Sequence, residues 1–261
     1  MKILFIGDII GEPGRIAVTM LLPHYCKTEC IDLVVVNGEN SAGGFGITQK
    51  VAEEMFALGV DAITLGNHTW DRKEALDVLN HPNIVRPANY PPEVMGKGYT
   101  IVTAENGVKV GVINLMGRVF LSTLDCPFRT GESVLKEVKK HAGVVLIDFH
   151  AEITSEKQSM GWFFDGRVSV VVGTHTHVQT ADERILPGGT AYITDVGMVG
   201  GRDGVIGITK EPVLRKYLTQ LPAKFEVSRR DVIFNAVVIE VDDTTGKSVS
   251  IKRVNQVVGD L

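Results

Sequence analysis

The chain has 261 residues and a formal net charge of −4, with 44% hydrophobic and 22% charged residues. This composition is typical of a globular protein with enough chain to bury a sizeable core. Because no Pro/Ser-rich or charge-rich linker divides the sequence, we expect a single domain over residues 1–261. Lysine and arginine are scattered rather than grouped in a basic stripe, which argues against long nucleic acid as a partner.

The amino-terminal segment does not resemble a targeting sequence. Its apolar run is interrupted by Asp8 and by glycines before a secretory signal or a membrane span could form. We therefore expect a cytoplasmic protein with no membrane association, and a homo-oligomer is a fair default. The cysteines are predicted to be reduced thiols, and they are Cys26, Cys30 and Cys126. Cys26 and Cys30 lie one helical turn apart and could in principle share a metal, but they are expected to be buried small hydrophobic residues.

Short β-rich runs alternate with helical stretches along the first 80 residues. In chain order they are KILFIGD, residues 14–30, DLVVVNGE, residues 48–58, AITLGNH and residues 72–80. This alternation predicts βαβ units. The runs LVVV, VVLIDF and VSVVVG are apolar at nearly every position, which is typical of central strands covered on both faces.

Antiparallel pairs are also predicted, so the sheets should be mixed. Asn106-Gly107 separates two strand-like runs and suits a tight hairpin turn. Residues 223–243 and 247–254 alternate between apolar and polar side chains and should form a second antiparallel set. The expected fold class is therefore α/β with mixed β-sheets.

Polar residues that can bind metals follow five of the predicted strands. They are Asp8, Glu39, Asn40, Asn67, His68, His150, His175 and His177. Because ligand sites of open α/β sheets lie beyond the carboxyl ends of the strands, one edge of a sheet could gather them all. Each residue alone has an ordinary structural explanation, such as a helix cap or a turn, but their joint placement predicts a metal site.

The number and type of these ligands indicate two metal ions. One ion takes four to six ligands, which is fewer than this set supplies. Glu39 is the expected bridging carboxylate. Imidazole and oxygen ligands without a thiolate favour iron or manganese, with zinc as a further option. The other histidines fall in helical or loop stretches and are expected to be solvated or structural; they are His24, His81 and His141.

The same residues resemble the strand-end blocks of the calcineurin-like metallophosphoesterase superfamily. The matching blocks are Gly7-Asp8, Gly38-Glu39-Asn40, Gly66-Asn67-His68, Asp148-Phe149-His150 and Gly173-Thr174-His175-Thr176-His177. More closely, the whole chain resembles the YmdB-type family of bacterial metallophosphoesterases. That resemblance rests on GDIIGEPGR, NGENSAGGFGIT, TLGNHTWD, RPANYP, FHAEITSEK, GTHTHVQTAD and ITDVGM.

The sequence departs from the broad superfamily at two positions and agrees there with the narrower family. Ile10 stands where a histidine of the first metal site usually follows the aspartate, and Glu39 stands where an aspartate usually bridges. The loss of an imidazole makes the first site richer in oxygen ligands. Thr69 follows His68 where an acid is usual, and Asp71 is a candidate partner for His68 only by its closeness in sequence.

The resemblance implies a calcineurin-like fold, with mixed sheets sandwiched between helices, and phosphodiesterase activity on small substrates such as 2′,3′- or 3′,5′-cyclic nucleotides. It implies that metal one is held by Asp8, Glu39, Asn40 and His177. It implies that metal two is held by Glu39, Asn67, His150 and His175. A hydroxide bridging the two metals would attack phosphorus, and His68 would protonate the leaving oxygen.

Four other functions are alternatives to phosphodiesterase activity: a phosphomonoesterase, a nuclease, a dinucleotide-binding protein and a sensor. A phosphomonoesterase or a nuclease could use the same metals, although the missing basic stripe argues against a nuclease for long strands. A dinucleotide-binding protein is disfavoured, because its fingerprint needs glycines in the spacing G-x-G-x-x-G. The glycines after the first strand do not have this spacing; they are Gly7, Gly11 and Gly14. A metal- or nucleotide-binding sensor without catalysis has no need for His68.

Three further polar residues follow predicted strands and could in principle touch the substrate. They are Arg86, Asn89 and Arg118. Surface solvation is the expected role for each of them.

Overall fold

The computed structural model describes residues 1–261, which form fourteen strands and six helices. The strands are β1 (Lys2–Ile6), β2 (Asp8–Ile9), β3 (Leu33–Asn37), β4 (Ala62–Thr64), β5 (Ile84–Val85), β6 (Tyr99–Thr103), β7 (Lys109–Met116), β8 (Val144–His150), β9 (Val170–Thr174), β10 (Arg184–Ile185), β11 (Ala191–Ile193), β12 (Met198–Gly201), β13 (Val232–Val241) and β14 (Ser248–Gly259). The helices are α1 (Gly11–Glu29), α2 (Gln49–Ala57), α3 (Ala75–Val78), α4 (Pro127–Val138), α5 (Thr154–Phe164) and α6 (Lys210–Thr219).

The strands form two mixed sheets. The first sheet has the order β2-β12-β13-β1-β3-β4-β5, with β14 also paired to β13, and the second has the order β10-β11-β9-β8-β7-β6. Strands β1, β3, β4 and β5 are parallel neighbours in the first sheet, as are β7, β8, β9 and β11 in the second. The expected α/β class with mixed sheets is confirmed.

The two sheets pack face to face and helices cover their outer faces. In β1 the side chains alternate: Phe5 joins a buried cluster that includes Val112 and Leu146 of the second sheet, whereas Leu4 packs with residues of α1 and α2. On the other side, α4 and α5 pack on the second sheet in a cluster that includes Phe149. Because both faces of each sheet are covered, the central strands are apolar throughout.

Both predicted antiparallel pairs are present. The Asn106-Gly107 turn joins β6 to β7, and Gly107 adopts a φ of 85°, as a tight turn of this kind requires. Strands β13 and β14 form the second pair. The prediction for residues 223–243 was too long at its start, because the regular strand begins only at Val232.

Two local predictions were wrong. The helical stretch at residues 72–80 contains only the single turn of α3. Cys30 is exposed rather than buried, because it ends α1 in a left-handed conformation with φ 55°. The three cysteines are all unpaired, and Cys26 and Cys126 are half-buried. None of the helices is long and apolar enough to cross a membrane.

We predict that Phe5→Ala will lower the free energy of unfolding by about 3–5 kcal/mol, because the buried ring fills space between the sheets and its loss leaves a cavity. Urea denaturation measures this change. The matched control is Phe120→Ala, since Phe120 is largely exposed and should change stability by less than about 0.5 kcal/mol. Equal effects of the two substitutions would contradict the assigned core.

Candidate metal centre

Both sheets deliver site residues at the carboxyl ends of their parallel strands. In the first sheet, Asp8 lies just past β1, and the loops after β3 and β4 carry Glu39-Asn40 and Asn67-His68. In the second sheet, His150 is the last residue of β8, and the loop after β9 carries His175 and His177. The eight residues predicted from sequence are therefore brought together across the two sheets.

One group of ligand atoms surrounds the Nε2 atom of His150. This nitrogen lies 3.0 Å from Glu39 Oε1, 2.9 Å from Asn67 Oδ1 and 3.0 Å from His175 Nδ1. Glu39 and His150 are completely buried, and His175 is partly buried. Three potential metal-ligand atoms thus lie close to a fourth, His150 Nε2. The ligand atoms of Glu39, His150 and His175 lie within 4.8 Å of one another, which is close enough to hold one ion.

A second group surrounds the amide of Asn40 and also includes Glu39 Oε1. The amide nitrogen of Asn40 lies 3.5 Å from Asp8 Oδ1, 3.3 Å from Glu39 Oε1 and 3.2 Å from His177 Nε2. Because the nitrogen and oxygen of an amide are assigned from their surroundings, Asn40 can equally turn its oxygen toward this point. Glu39 is the one carboxylate common to both groups.

The electrostatics of the site fit bound cations. The ion-pair partners of the buried Glu39 and Asp8 carboxylates are histidines, His150 and His177 respectively, and no lysine or arginine pairs with them. Burial alone would raise the pKa of Glu39, but His150 lowers it to about 2. Burial opposes the charge on His150, yet Glu39 raises its pKa to about 9. Glu39 thus holds a positive charge at a place where a cation could replace a proton, whereas burial raises the pKa of Asp8.

His175 is available as a neutral ligand. Burial and the neighbouring charge of His150 lower its pKa to about 3. Its Nε2 atom lies 2.9 Å from Glu152 Oε2, which fixes the ring and turns Nδ1 toward His150. A carboxylate behind a histidine is a common means of orienting a metal ligand.

His68 lies at the edge of the same site. Its backbone N–H donates to Glu39 Oε2 at 3.0 Å, and its ring Nδ1 lies 2.7 Å from Asp71 Oδ2. The ring is also in edge contact with Phe45, with centroids 5.2 Å apart. Asp71 therefore does contact His68, as its position in the sequence suggested, and leaves Nε2 as the free ring nitrogen.

Buried groups behind the ligands fix their orientation. Thr174 Oγ1 lies 2.9 Å from His150 Nδ1 and donates to Asp148 Oδ1 at 2.7 Å. Because this hydroxyl already donates to Asp148, His150 Nδ1 donates to Thr174, which fixes the ring with Nε2 facing Glu39 and Asn67. Burial raises the pKa of Asp148 to about 6.

The loop that carries two histidines is held in an unusual conformation. His175 and His177 have φ angles of 98° and 64°, which non-glycine residues rarely adopt. Between them, the N–H and hydroxyl of Thr176 donate to Asp195 Oδ2 at 3.1 and 2.7 Å. The same oxygen accepts from the buried Lys157 at 2.5 Å. This buried ion pair anchors the strained turn.

Sequence comparison identifies relatives over almost the whole chain. The profile of one family, described as YmdB-like protein, matches residues 4–254. The chain belongs to the YmdB-like family. A relative from Bacillus subtilis (strain 168), named 2′,3′-cyclic-nucleotide 2′-phosphodiesterase, is 50% identical over 255 residues, which are 97% of this chain and 96% of the relative. The resemblance inferred from sequence motifs is confirmed.

Further relatives and solved structures agree with this placement. A putative phosphatase/phosphodiesterase from Mycoplasma pneumoniae (strain ATCC 29342 / M129 / Subtype 1) is 39% identical over 270 residues, covering 100% of this chain and 94% of the relative. The crystal structure of a hypothetical protein from Thermus thermophilus has a TM-score of 0.93 at 40% identity, covering 98% of this chain and 99% of that one. A structure titled as a novel phosphatase from Mycoplasma pneumoniae also has a TM-score of 0.93, at 36% identity, and covers 100% of this chain and 94% of that one.

Sequence reasoning about this YmdB-like protein missed four supporting residues, namely Asp148, Glu152, Lys157 and Asp195. All four lie inside motifs that carried the family resemblance, so their charged side chains were the available signal. The partners of Glu152 and Lys157 lie far from them in sequence or follow another strand, which no local pattern shows.

The expectation of surface solvation was wrong for two of three polar residues in this YmdB-like protein. Arg86 is buried, and its guanidinium donates to the backbone carbonyls of Pro87, Val94 and Met95. Asn89 is also buried and bonds to the backbone of Met116. Both hold loops in place.

The other solvation predictions agree with the structure. Arg118 is exposed. The three histidines outside the site, His24, His81 and His141, are exposed as well.

We predict that Gly66→Ala in this YmdB-like protein will abolish metal binding. A Cβ at this position would lie 2.4 Å from both Glu39 Oε2 and His150 Nε2, so these two groups would have to move apart. Elemental analysis of the purified variants measures the loss. The control is Gly143→Ala, where a Cβ meets nothing within 4 Å and metal content should be unchanged. Wild-type metal content in Gly66→Ala would contradict the assigned site.

Proposed function

We propose that this protein is a metal-dependent phosphodiesterase that hydrolyses 2′,3′-cyclic nucleotides. The observation that carries the proposal is the pair of ligand groups that share Glu39, since a shared carboxylate is what holds two cations close together. Phosphoric ester hydrolysis, expected from the sequence, is confirmed at the level of the family by the relative named 2′,3′-cyclic-nucleotide 2′-phosphodiesterase. Its other relatives carry the names phosphatase and phosphodiesterase.

Two metal ions are proposed, and iron or manganese suits the ligands best, with zinc as the alternative. Asp8, Glu39, Asn40 and His177 would hold the first ion. Glu39, Asn67, His150 and His175 would hold the second. When bound, two such ions lower the pKa of a water molecule and neutralise the phosphoryl oxygens.

His68 is the proposed proton donor. Its backbone N–H is tied to Glu39 and its Nδ1 to Asp71, so the ring is fixed beside the ligands with Nε2 free. The carboxylate of Asp71 thereby orients the ring for the donor role. In the overall reaction, water loses one proton to solvent as its oxygen bonds to phosphorus, the bond from phosphorus to O2′ breaks with its electron pair left on O2′, and His68 gives its proton to O2′ and regains one from solvent.

The remaining properties of the chain fit this function. We propose a single catalytic domain with the calcineurin-like fold, which the two packed sheets with helices on their outer faces support. The proposed substrate is a small molecule, since the net charge is −4 and lysine and arginine are scattered along the sequence, which does not favour long nucleic acid. A cytoplasmic location and assembly as a homo-oligomer are further parts of the proposal.

The roles of His68 and Glu39 are separable by substitution. We predict that His68→Ala will keep its metals and lower kcat by about 10²–10⁴-fold, the usual contribution of a general acid. Glu39→Gln should lower metal content as well, because both ligand groups lose their common carboxylate. Metal content and hydrolysis of 2′,3′-cyclic AMP measure the two effects. His141→Ala, at an exposed histidine outside the site, is the control.

Substrate comparison tests the reaction class. The wild type should cleave 2′,3′-cyclic nucleotides and bis-p-nitrophenyl phosphate with manganese present. Preference for p-nitrophenyl phosphate would favour a phosphomonoesterase, and bound metals without turnover would favour a sensor. Equal losses of metal in His68→Ala and Glu39→Gln would rule out the division of roles given above.

A further inference from the structure

An apolar cavity of about 360 Å³ opens beside the candidate metal centre. Seven of its nine lining residues are hydrophobic, and the lining is Phe45, Val205, Ile206, Ile208, Val213, Lys216, Tyr217, Gln220 and Phe225. Ligand pockets of this size and apolar character typically bind small molecules rather than extended partners. The ligand groups described above account for none of these side chains.

Two lining residues connect the cavity directly to the site. The ring of Phe45 contacts the ring of His68, with centroids 5.2 Å apart. The backbone carbonyl of Ile206 lies 3.0 Å from His177 Nδ1. If the phosphate of a substrate lies between His68 and His177, the rest of the substrate therefore lies next to this apolar cavity.

Phe45 is held in place by its loop. Arg72 donates through Nε to the carbonyl of Phe45 at 2.8 Å, and its terminal nitrogen donates to the carbonyl of Ala42. On either side, Gly44 and Gly46 have φ angles of 97° and 68°, which side chains rarely allow. The ring remains 39% exposed although its backbone is fixed, which suits a preformed contact surface.

We infer that this cavity binds the nucleobase of the substrate, an inference that rests on the proposed function. A base presents flat apolar faces, and stacking on aromatic rings is the usual way in which proteins bind bases without distinguishing one base from another. The lining contains no carboxylate, and its one charged residue is Lys216. The cavity therefore repels neither the base nor the single negative charge of the cyclic phosphate.

The lining also indicates how selective the subsite is. Its side chains with hydrogen-bonding groups are Lys216, Tyr217 and Gln220, and the amide of Gln220 already donates to the carbonyl of Tyr217. Tyr217 is 74% exposed and lies at the rim. With few groups to read the edges of a base, the subsite accepts all four bases, and purines bind best because they stack over a larger area.

The test compares substrates with and without a base. Wild type, Phe45→Ala and Tyr217→Ala are assayed on 2′,3′-cyclic AMP, 2′,3′-cyclic CMP and glycerol 1,2-cyclic phosphate, which has the same five-membered diester ring but no base. Phe45→Ala should raise KM for cyclic AMP by about tenfold or more relative to KM for glycerol 1,2-cyclic phosphate, as the loss of one stacking partner implies, since any effect through the contact with His68 is common to both substrates. Tyr217→Ala should act in the same sense but less.

The control is Trp162→Ala, an exposed aromatic residue of α5 outside the lining, which should leave KM for both substrates unchanged. Equal losses on both kinds of substrate, or no loss on either, would overturn the nucleobase subsite. A change in molar mass by light scattering, together with such equal losses, would assign the surface to a second copy of the chain instead.

Binding separates this inference from the proposed reaction. If the wild type cleaves none of these diesters, the proposed function fails, and calorimetry with adenosine 3′-phosphate still tests the cavity. Tighter binding of this ligand than of glycerol 3-phosphate, lost in Phe45→Ala, would support the subsite. Equal binding of the two ligands, or no binding of either, would overturn it.

Discussion

The buried carboxylate of Glu39 is the feature on which the arrangement of the site depends. Its oxygens contact Asn40, His150 and the backbone of His68, and none of these partners carries a permanent charge. A buried negative charge is costly unless it is paired, so the surrounding residues must supply a positive charge or admit a cation. With Asp8 also buried nearby, a protonated histidine satisfies this need only in part, so the two ligand groups that share Glu39 suit added cations.

Packing provides the rigidity that such a site requires. Strands from two sheets end at the same place, and both sheets are fixed by an apolar interface and by helices on their outer faces. The strained part is the turn from His175 to His177, whose positive φ angles would relax without support. The ion pair of Lys157 with Asp195 supplies that support through Thr176. Asp148 orients the ring of His150 through Thr174, whose hydroxyl contacts both residues.

Much of this arrangement was predictable from sequence, because its main elements follow from local patterns. Apolar runs ending in metal-ligating residues identified the strands that carry Asp8, Glu39 and His150, and the Asn106-Gly107 turn fixed one antiparallel pair. The sequence did not predict that two separate sheets share the site. Parallel strand ends predict a common edge within a sheet, and nothing local specifies how a second sheet packs against the first.

Other failures have the same physical origin. Asn89 bonds to the backbone of Met116, which is distant in sequence, whereas Arg86 bonds to carbonyls of its own loop, such as that of Val94. In both cases a polar side chain that holds backbone carbonyls resembles a solvated one until the fold is known. The apolar residues at 205–225 could not be distinguished from ordinary core positions. Only the fold brings Ile206 against His177 and leaves Tyr217 exposed beside Phe45.

Anomalous diffraction from crystals of the full chain grown with manganese tests the central claim most directly. Two anomalous peaks are expected next to Glu39, one contacting Asp8, Asn40 and His177 and the other contacting Asn67, His150 and His175. A single peak that leaves Asp8 or His150 without a metal contact, or peaks away from Glu39, would contradict it.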